Sequence, residues 1–543
     1  MDLLPSPSAI GAPPKFHTWR KYQQEAVVRV MESDKRFLAL AMPTGFGKSL
    51  VYVMQALIMG ARVCILTSTK GLQDQLAADF GPIGLLDIRG QNSYPCRALE
   101  EGKFPWWKAW PTCDNGPCHA GFMCEYRDEG CDYFDAQRLA MKAKMVVTNY
   151  HYWMAINAYS KGLGEFDLLV LDEAHDAPEV LAGFMETEIA RSETPKLLGN
   201  GLLAAGATME DWGDWARYNR DACQEKLDQI VERLGGMVNE RAPINPKVSR
   251  EAMDLRKLLS KLNTLAEANP EWWGNEPYEK HTKKGRELGH RFAPTWPAPY
   301  AHPYLFLQVP KIVLTSATLR PKTCEMLNIS SEDLEFREYP SIFPVERRPV
   351  TYIKTVRVGY RTSDDQMLTW VRRIDQILRA RPDSKGIIHT VSYKRAQLLL
   401  DNTQHRDRLL SHDPRTTRTV VQKFKESSYP YVIVSPSLST GWDFPYEECR
   451  FQIIGKIPFP NTQGEIMKGR VNRDKGYRDY LAMQMLVQAC GRGMRAEDDF
   501  CECFVVDNNI SWFLWKNKDL APKWFLEAYS ESGTIPPARE DNR

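Results

Sequence analysis

Three stretches of this sequence carry residue types at spacings suited to chemistry. Met42-Pro43-Thr44-Gly45-Phe46-Gly47-Lys48-Ser49 follows the apolar run Phe37–Ala41 and leads into Leu50-Val51-Tyr52-Val53-Met54, so it reads as strand, glycine loop and helix. Gly45 and Gly47 let backbone N–H groups close around a phosphate chain, Lys48 reaches the terminal phosphates, and Ser49 offers a hydroxyl to magnesium. Met42 stands where the strict pattern has glycine, so a structural turn is the competing reading of this loop alone. The second stretch, Asp172-Glu173-Ala174-His175, ends the buried-strand pattern Phe166–Leu171. There a carboxylate can hold magnesium through its waters, and Glu173 is placed to orient and deprotonate an attacking water. His175 would couple that site to a neighbouring domain. The third, Gln488-Ala489-Cys490-Gly491-Arg492-Gly493-Met494-Arg495, puts two arginines on one helix face. Guanidinium groups stabilise charge on a transferring γ-phosphoryl group. Loop and carboxylates in this order spell an ATPase site.

Cysteines form a fourth group. Five of the 12 (Cys96, Cys113, Cys118, Cys124 and Cys131) are packed into one short stretch. In a reducing compartment such clustering points to a metal rather than to disulfides. The surrounding residues 90–140 are aromatic and irregular (Phe104, Trp106, Trp107, Trp110) and have no periodicity that would build a core, so a thiolate-held metal would supply cohesion. The gaps from Cys118 to Cys124 and from Cys124 to Cys131 are wider than paired zinc-ribbon ligands, which favours an iron–sulfur cluster without separating it from zinc. Of five candidates for four positions, Cys96, Cys118, Cys124 and Cys131 are assigned and Cys113 is the spare.

These groups must be positioned by a scaffold. At 543 residues the chain has room for roughly three or four domains of about 150 residues each. Hydrophobic content of 43% and charged content of 26% are ordinary for a globular protein with a sizeable core. A net charge of +2 excludes a uniformly basic surface, so any nucleic-acid site is a local groove. The amino terminus lacks a signal-peptide pattern and no stretch is long enough to span a membrane, which implies a cytoplasmic protein. Apolar runs at 62–67, 144–149, 166–171 and 311–315 continue a first α/β unit (residues 1–89, 141–178 and 301–345), interrupted by the cysteine-rich stretch and by a helical insertion at 179–300. In that insertion Leu227, Ile230, Val231 and Leu234 share one face, and Leu255, Leu258, Leu259, Leu262 and Leu265 another. Its end mixes Trp272, Trp273, Tyr278, Lys280, Lys283, Lys284, Arg286, Arg291 and Trp296, which suits a bound single strand and equally a polar loop anchored by tryptophans. A second α/β unit, 346–543, has strands near 385–390, 431–435, 450–454 and 501–507 but no phosphate loop. The simplest arrangement binds ATP on the first unit and completes the site with arginines from the second.

Three further candidates lie at strand or helix ends. Gln23, ahead of the loop, can read both edges of adenine through its amide. Thr67, Ser68, Thr69 and Lys70 end one strand and Ser435 and Ser437 end another, where ligands of open α/β sheets sit. Ser316 and Thr318 could link the nucleotide site to a nucleic-acid path.

Gln23, Met42–Ser49, Thr67–Lys70, Asp172–His175, Ser316–Thr318, Gly441–Asp443 and Gln488–Arg495, in this order, resemble the motifs of a superfamily 2 helicase. With the two insertions the chain is similar to the iron–sulfur DinG/XPD-type family. The resemblance implies two RecA-like P-loop motor domains in the α/β class, with an iron–sulfur insertion and a helical arch insertion in the first. It implies ATP, Mg2+ and a [4Fe–4S] cluster as cofactors, and a monomeric DNA helicase translocating 5′ to 3′ on single-stranded DNA and opening forked or tailed duplexes. Matched by position, Thr44, Gly45, Phe46, Gly47, Lys48 and Ser49 cradle the phosphates, Asp172 holds magnesium and Glu173 is the base. Gln488 senses the γ-phosphate, Arg492 and Arg495 complete the site, and Gln23 reads adenine. Thr67, Ser68, Lys70, Ser435 and Ser437 would meet the DNA backbone. Alternatives are an RNA or RNA–DNA hybrid unwinder, and a nucleic-acid clamp or redox sensor switched by nucleotide.

Overall fold

A computed structural model describes residues 4–104, 110–120, 124–204, 206–239, 246–282, 285–438, 442, 444–494, 496 and 498–538. Trp106, Trp107, Lys283, Lys284, Gly441, Asp443 and Arg495 lie outside the described residues.

The apolar runs become strands because each is buried on both faces, the signature of a parallel sheet covered by helices. In β1 (Phe37–Ala41) Phe37, Ala39 and Ala41 enter one core, and Leu38 and Leu40 the other. Met42 joins that second core at 1% exposure, which accounts for an apolar residue at the first loop position. After β1 come β2 (Val63–Thr67), β3 (Leu85–Asp87), β4 (Met145–Asn149) and β5 (Leu168–Asp172). The helical insertion contributes β6 (Thr187–Ala190), β7 (Trp273–Thr282) and β8 (Gly285–Pro294), and β9 (Lys311–Ser316) and β10 (Leu334–Glu338) return to the first sheet. That sheet has seven strands in the order β10-β1-β9-β5-β2-β4-β3, all parallel. Between β1 and β5 lies β9, so the loop after β1 and the carboxylates after β5 flank the end of one strand.

The second α/β domain holds β11 (Val350–Ile353), β12 (Gly386–His389), β13 (Leu409–Ser411), β14 (Val432–Ser435), β15 (Phe451–Ile454), β16 (Glu502–Val505) and β17 (Tyr529–Ser532). They form a parallel seven-stranded sheet in the order β13-β14-β12-β15-β16-β11-β17. Both domains are RecA-like.

Four helices of the first domain matter to function: α1 (Gln23–Glu32), α2 (Lys48–Met59), α3 (Lys70–Phe80) and α4 (Asp132–Lys142), the last leading out of the cysteine-rich insertion. The helical insertion is two long helices, α5 (Met209–Asn239) and α6 (Pro246–Ala266), whose leucines interlock as the periodicity predicts around Trp212, Leu227, Leu234, Leu255, Leu258, Leu262 and Leu265. Helix α6 reaches the turn Pro117–Ala120 of the cysteine-rich stretch. The aromatic and basic end of the insertion is a long antiparallel hairpin, β7 with β8, flanked by β6. Its cations meet carboxylates: Lys280 with Glu188 at 2.6 Å, Arg291 with Glu188 at 3.0 Å, and Arg286 with Glu279 at 2.5 Å. Those pairings make it a scaffold ribbon.

Helices α7 (Glu465–Arg473) and α8 (Tyr477–Cys490) of the second domain face the first domain and its insertion. Buried Arg470 pairs with Glu179 at 2.7 Å and donates to Pro294 O. Gln484 Nε2 donates to Thr318 O at 2.8 Å, and Trp524 Nε1 to Ala317 O at 3.1 Å.

Candidate nucleotide site and cysteine-rich pocket

Strand register sets the first site. Ala41 lies opposite Ser316 and Asp172 opposite Thr315, so the phosphate loop, the Ser316–Thr318 turn and the carboxylates emerge side by side at the carboxyl edge of the sheet. Gly45 (φ +82°) and Gly47 (φ +76°) take left-handed conformations, and Gly47 caps α2 at its N-terminus, where helix amides meet anions. A side chain at Gly45 would overlap the ring of Phe343, which comes from the segment joining the two domains. Phe46 gives the loop its backbone only, for its ring is buried 5.3 Å from that of Tyr339.

Lys48 Nζ is 3.0 Å from Glu173 Oε1. Glu173 Oε2 accepts from Ser316 Oγ at 3.1 Å, and Ser316 Oγ lies 2.7 Å from His175 Nδ1. His175 Nε2 faces Asp176 at 3.1 Å and is bonded to Gln488 of α8. A chain of contacts thus runs from Lys48 through Glu173, Ser316 and His175 to the second domain. Burial opposes charge on Glu173, but Lys48 and His175 outweigh it and hold the carboxyl well below its usual range. Burial likewise opposes charge on His175, and Asp176 with Glu173 raises it to about 9. Asp172 goes the other way, pushed up to about 7 by burial and by the Glu173 charge.

Asp172 Oδ1 is a buried carboxylate oxygen with no hydrogen-bond partner among the described residues, while Oδ2 accepts from Tyr52 OH at 3.5 Å. The same hydroxyl donates to Ser49 Oγ at 3.2 Å, and Tyr150 OH donates to Asp172 O at 2.9 Å. An orphaned carboxylate oxygen, with a serine hydroxyl linked to the same carboxylate through Tyr52, fits a divalent cation. Tyr52 and Tyr150 escape sequence reasoning because an aromatic in an apolar helix reads as core.

Gln23 is buried against the loop, its Nε2 donating to Phe46 O at 2.8 Å and Gly47 O at 3.2 Å, and Arg20 Nη1 donates to Gly45 O at 2.6 Å. Here the Gln23 amide holds the loop. Across the cleft, a Cβ added at Gly491 would stand 3.7 Å from Thr44 Oγ1, and Arg492 Nη1 donates to Trp442 O at 3.1 Å. Arg495 lies outside the described residues.

Of the candidates for a nucleic-acid backbone, Thr67 and Ser435 are fully buried. Thr67 Oγ1 donates to Thr69 O at 3.3 Å, and Ser435 Oγ accepts from Ser437 N and Leu438 N. These two hydroxyls are used inside their own loops. Ser68 is half-buried, whereas Lys70 and Ser437 are exposed.

All five clustered cysteines line one pocket, with Arg97, Tyr126, Tyr133 and Phe134 among its walls. None is in a disulfide. Cys113, set aside by spacing, lines the same pocket, its thiol donating to Pro95 O at 3.0 Å. Its nearness lowers Cys96 to about 7 and Cys131 to about 6, whereas burial raises Cys118 to about 11. A Cβ at Gly116 would stand 3.3 Å from Cys96 Sγ and 3.4 Å from Cys118 Sγ, so glycine leaves room between sulfurs. Among the described residues no set of three or more His, Cys, Asp or Glu side chains adopts metal-site spacing, but the donors fit a thiolate-held metal.

Comparison with known proteins agrees with this geometry. Residues 374–527 match the helicase C-terminal domain family, and residues 16–199 the family described as type III restriction enzyme, res subunit. The ATP-dependent DNA helicase YoaA of Escherichia coli (strain K12) is 26% identical over 94% of each chain. Its counterpart in Haemophilus influenzae is 22% identical over 88% of each. The solved structure of an XPD helicase superposes with a TM-score of 0.60 at 16% identity, over 95% of this chain and 100% of that one. The chain resembles the DinG/XPD-type family of superfamily 2 helicases. Among the described residues no helix is long and apolar enough to cross a membrane.

Proposed function

We propose that this chain is an ATP-driven DNA helicase that moves 5′ to 3′ on single-stranded DNA and opens forked or tailed duplexes as a cytoplasmic monomer. The observation that carries the reading is the contact of Gln488, on the second domain, with His175 of the Asp-Glu-Ala-His segment on the first. Through it the state of the phosphate site is felt by the other lobe. Relatives named as ATP-dependent DNA helicases support the substrate.

Lys48 and the loop amides would hold the phosphates, and Ser49 with Asp172 would hold magnesium, which when bound draws charge from the phosphoryl group. Glu173 takes the proton of the attacking water. Arg492 and Arg495 of the second lobe balance the charge of the transferring group, so hydrolysis and lobe movement are one event. Exposed Lys70 and Ser437, with half-buried Ser68, are the more accessible candidates for the DNA backbone.

In the cysteine pocket we propose a [4Fe–4S] cluster. Cys96, Cys118, Cys124 and Cys131 are its proposed ligands, and Cys113, which lines the same pocket, is the candidate to stand in for one of them. Anaerobically purified protein should contain iron and sulfide in equal amounts, and a fall in both on Cys113→Ser would put Cys113 in the ligand set. Zinc in their place would remove the cluster and leave the motor.

Strand displacement tests the whole reading. A duplex with a 5′ DNA tail should be opened with ATP, and one with a 3′ tail should not. Preference for RNA tails would make the protein an RNA unwinder, and ATP-dependent binding without separation would make it a clamp.

A further inference from the structure

A second group of thiols lies in the second motor domain. Cys490 ends α8, Cys503 is on β16, and their sulfurs are 3.2 Å apart. Cys449 and Cys501 are a neighbouring pair, their thiols donating to Phe451 O at 3.3 Å and Glu502 O at 3.8 Å. Gln452 Nε2 spans the two pairs, 3.4 Å from Cys490 O and 3.8 Å from Cys501 Sγ. Above them runs Gly491-Arg492-Gly493, where a side chain at Gly493 would overlap Cys501 Sγ. The arginine loop therefore starts at Cys490 and rests on Cys501. Cys449, Cys501 and Cys503 are buried and Cys490 is half-buried, so an oxidant meets Cys490 first.

We propose that Cys490 and Cys503 are a peroxide-responsive pair whose conversion to a disulfide fixes the Arg492 loop and slows ATP turnover. The proposal rests on the reading of Arg492 as part of the ATPase site. Cys490 thiolate attacks one oxygen of hydrogen peroxide, the O–O bond breaks, and the departing hydroxide leaves as water with the proton shed by the thiol, giving a sulfenic acid. Cys503 sulfur then attacks Cys490 sulfur. The S–S bond forms, the S–O bond breaks, and hydroxide leaves with the Cys503 proton as a second water. Two thiols are oxidised by two electrons, and one peroxide is reduced to two waters. A disulfide is about 2.0 Å long, so closure draws the end of α8 toward β16 by roughly 1 Å. Displacements of that size cost up to about a hundredfold in a positioned active site.

The test treats the anaerobically purified full chain with hydrogen peroxide, blocks free thiols with N-ethylmaleimide, and maps linked peptides while following ATP turnover and iron content. A Cys490–Cys503 peptide should appear, turnover should fall about tenfold, and dithiothreitol should restore it. Cys490→Ser and Cys503→Ala should keep the untreated rate and resist the fall, at an iron loss equal to that of the unaltered protein. No such peptide, a Cys449–Cys501 link in its place, or an equal fall in both variants would overturn the proposal. If the untreated protein turned over no ATP, the functional reading would fail by itself, while peptide mapping would still decide whether the pair forms.

Discussion

At Glu173 the backbone takes φ +51°, a left-handed conformation that costs a non-glycine residue about 1 kcal/mol or more. The strain turns its carboxylate toward Lys48 and Ser316 instead of along the strand. Replacing it with glutamine keeps the shape and removes the base. Glu173→Gln should bind nucleotide as well as the unaltered protein, and its turnover should drop by about a hundredfold or more; undiminished hydrolysis would unseat the residue. Tyr52→Phe deletes the hydroxyl between Ser49 and Asp172 and should raise the magnesium concentration needed for half-maximal turnover several-fold, with little change in thermal stability. His175 is held at about 9, above its usual 6.5, by Asp176 and Glu173 against burial. A raised histidine stabilises the fold fully below its unfolded value and loses that contribution as pH climbs through the folded value. The melting temperature of nucleotide-free protein should therefore fall by a few degrees between pH 7 and 9.5, and Asp176→Asn should flatten the fall.

Secondary-structure elements bring these residues into reach, and their legibility in the sequence varies. Strands β1, β5 and β9 are readable because doubly buried strands are continuous apolar runs, and the order of motifs along the chain already names the two lobes. Ala41 lying opposite Ser316 was not readable, since register belongs to partners distant in sequence. The hairpin β7–β8 escaped because cross-strand ion pairs break the apolar alternation that marks a strand. Cys113 was set aside because spacing rules count residues along the chain and cannot see which thiols line one pocket. Thr67 and Ser435 have hydroxyls suited to a phosphate, and only burial reveals that they are used inside. Helix α8 carries one more expected outcome. Gln488→Ala removes the bond to His175 and should reduce ATP turnover by about tenfold or more while leaving nucleotide affinity near its original value, as nucleotide titration would show.

Across the whole molecule, three bodies meet around α7 and α8: the first lobe, its helical insertion and the second lobe. Lys322 pairs with Asp474 at 2.9 Å, Tyr480 OH lies 2.7 Å from Thr323 Oγ1, and Arg470 is sunk between Glu179 and Pro294 O. Arg470→Ala leaves Glu179 and a carbonyl without their cation. It should lower the unfolding midpoint and reduce strand separation more than ATP turnover, because the insertion is no longer tied to the moving lobe. The pairing of Lys48 with Glu173 has a consequence of its own. On the proposed role of Glu173 as base, a triphosphate that draws the ammonium to its own oxygens also releases the carboxylate that would activate water, so the fuel itself would arm the cleft.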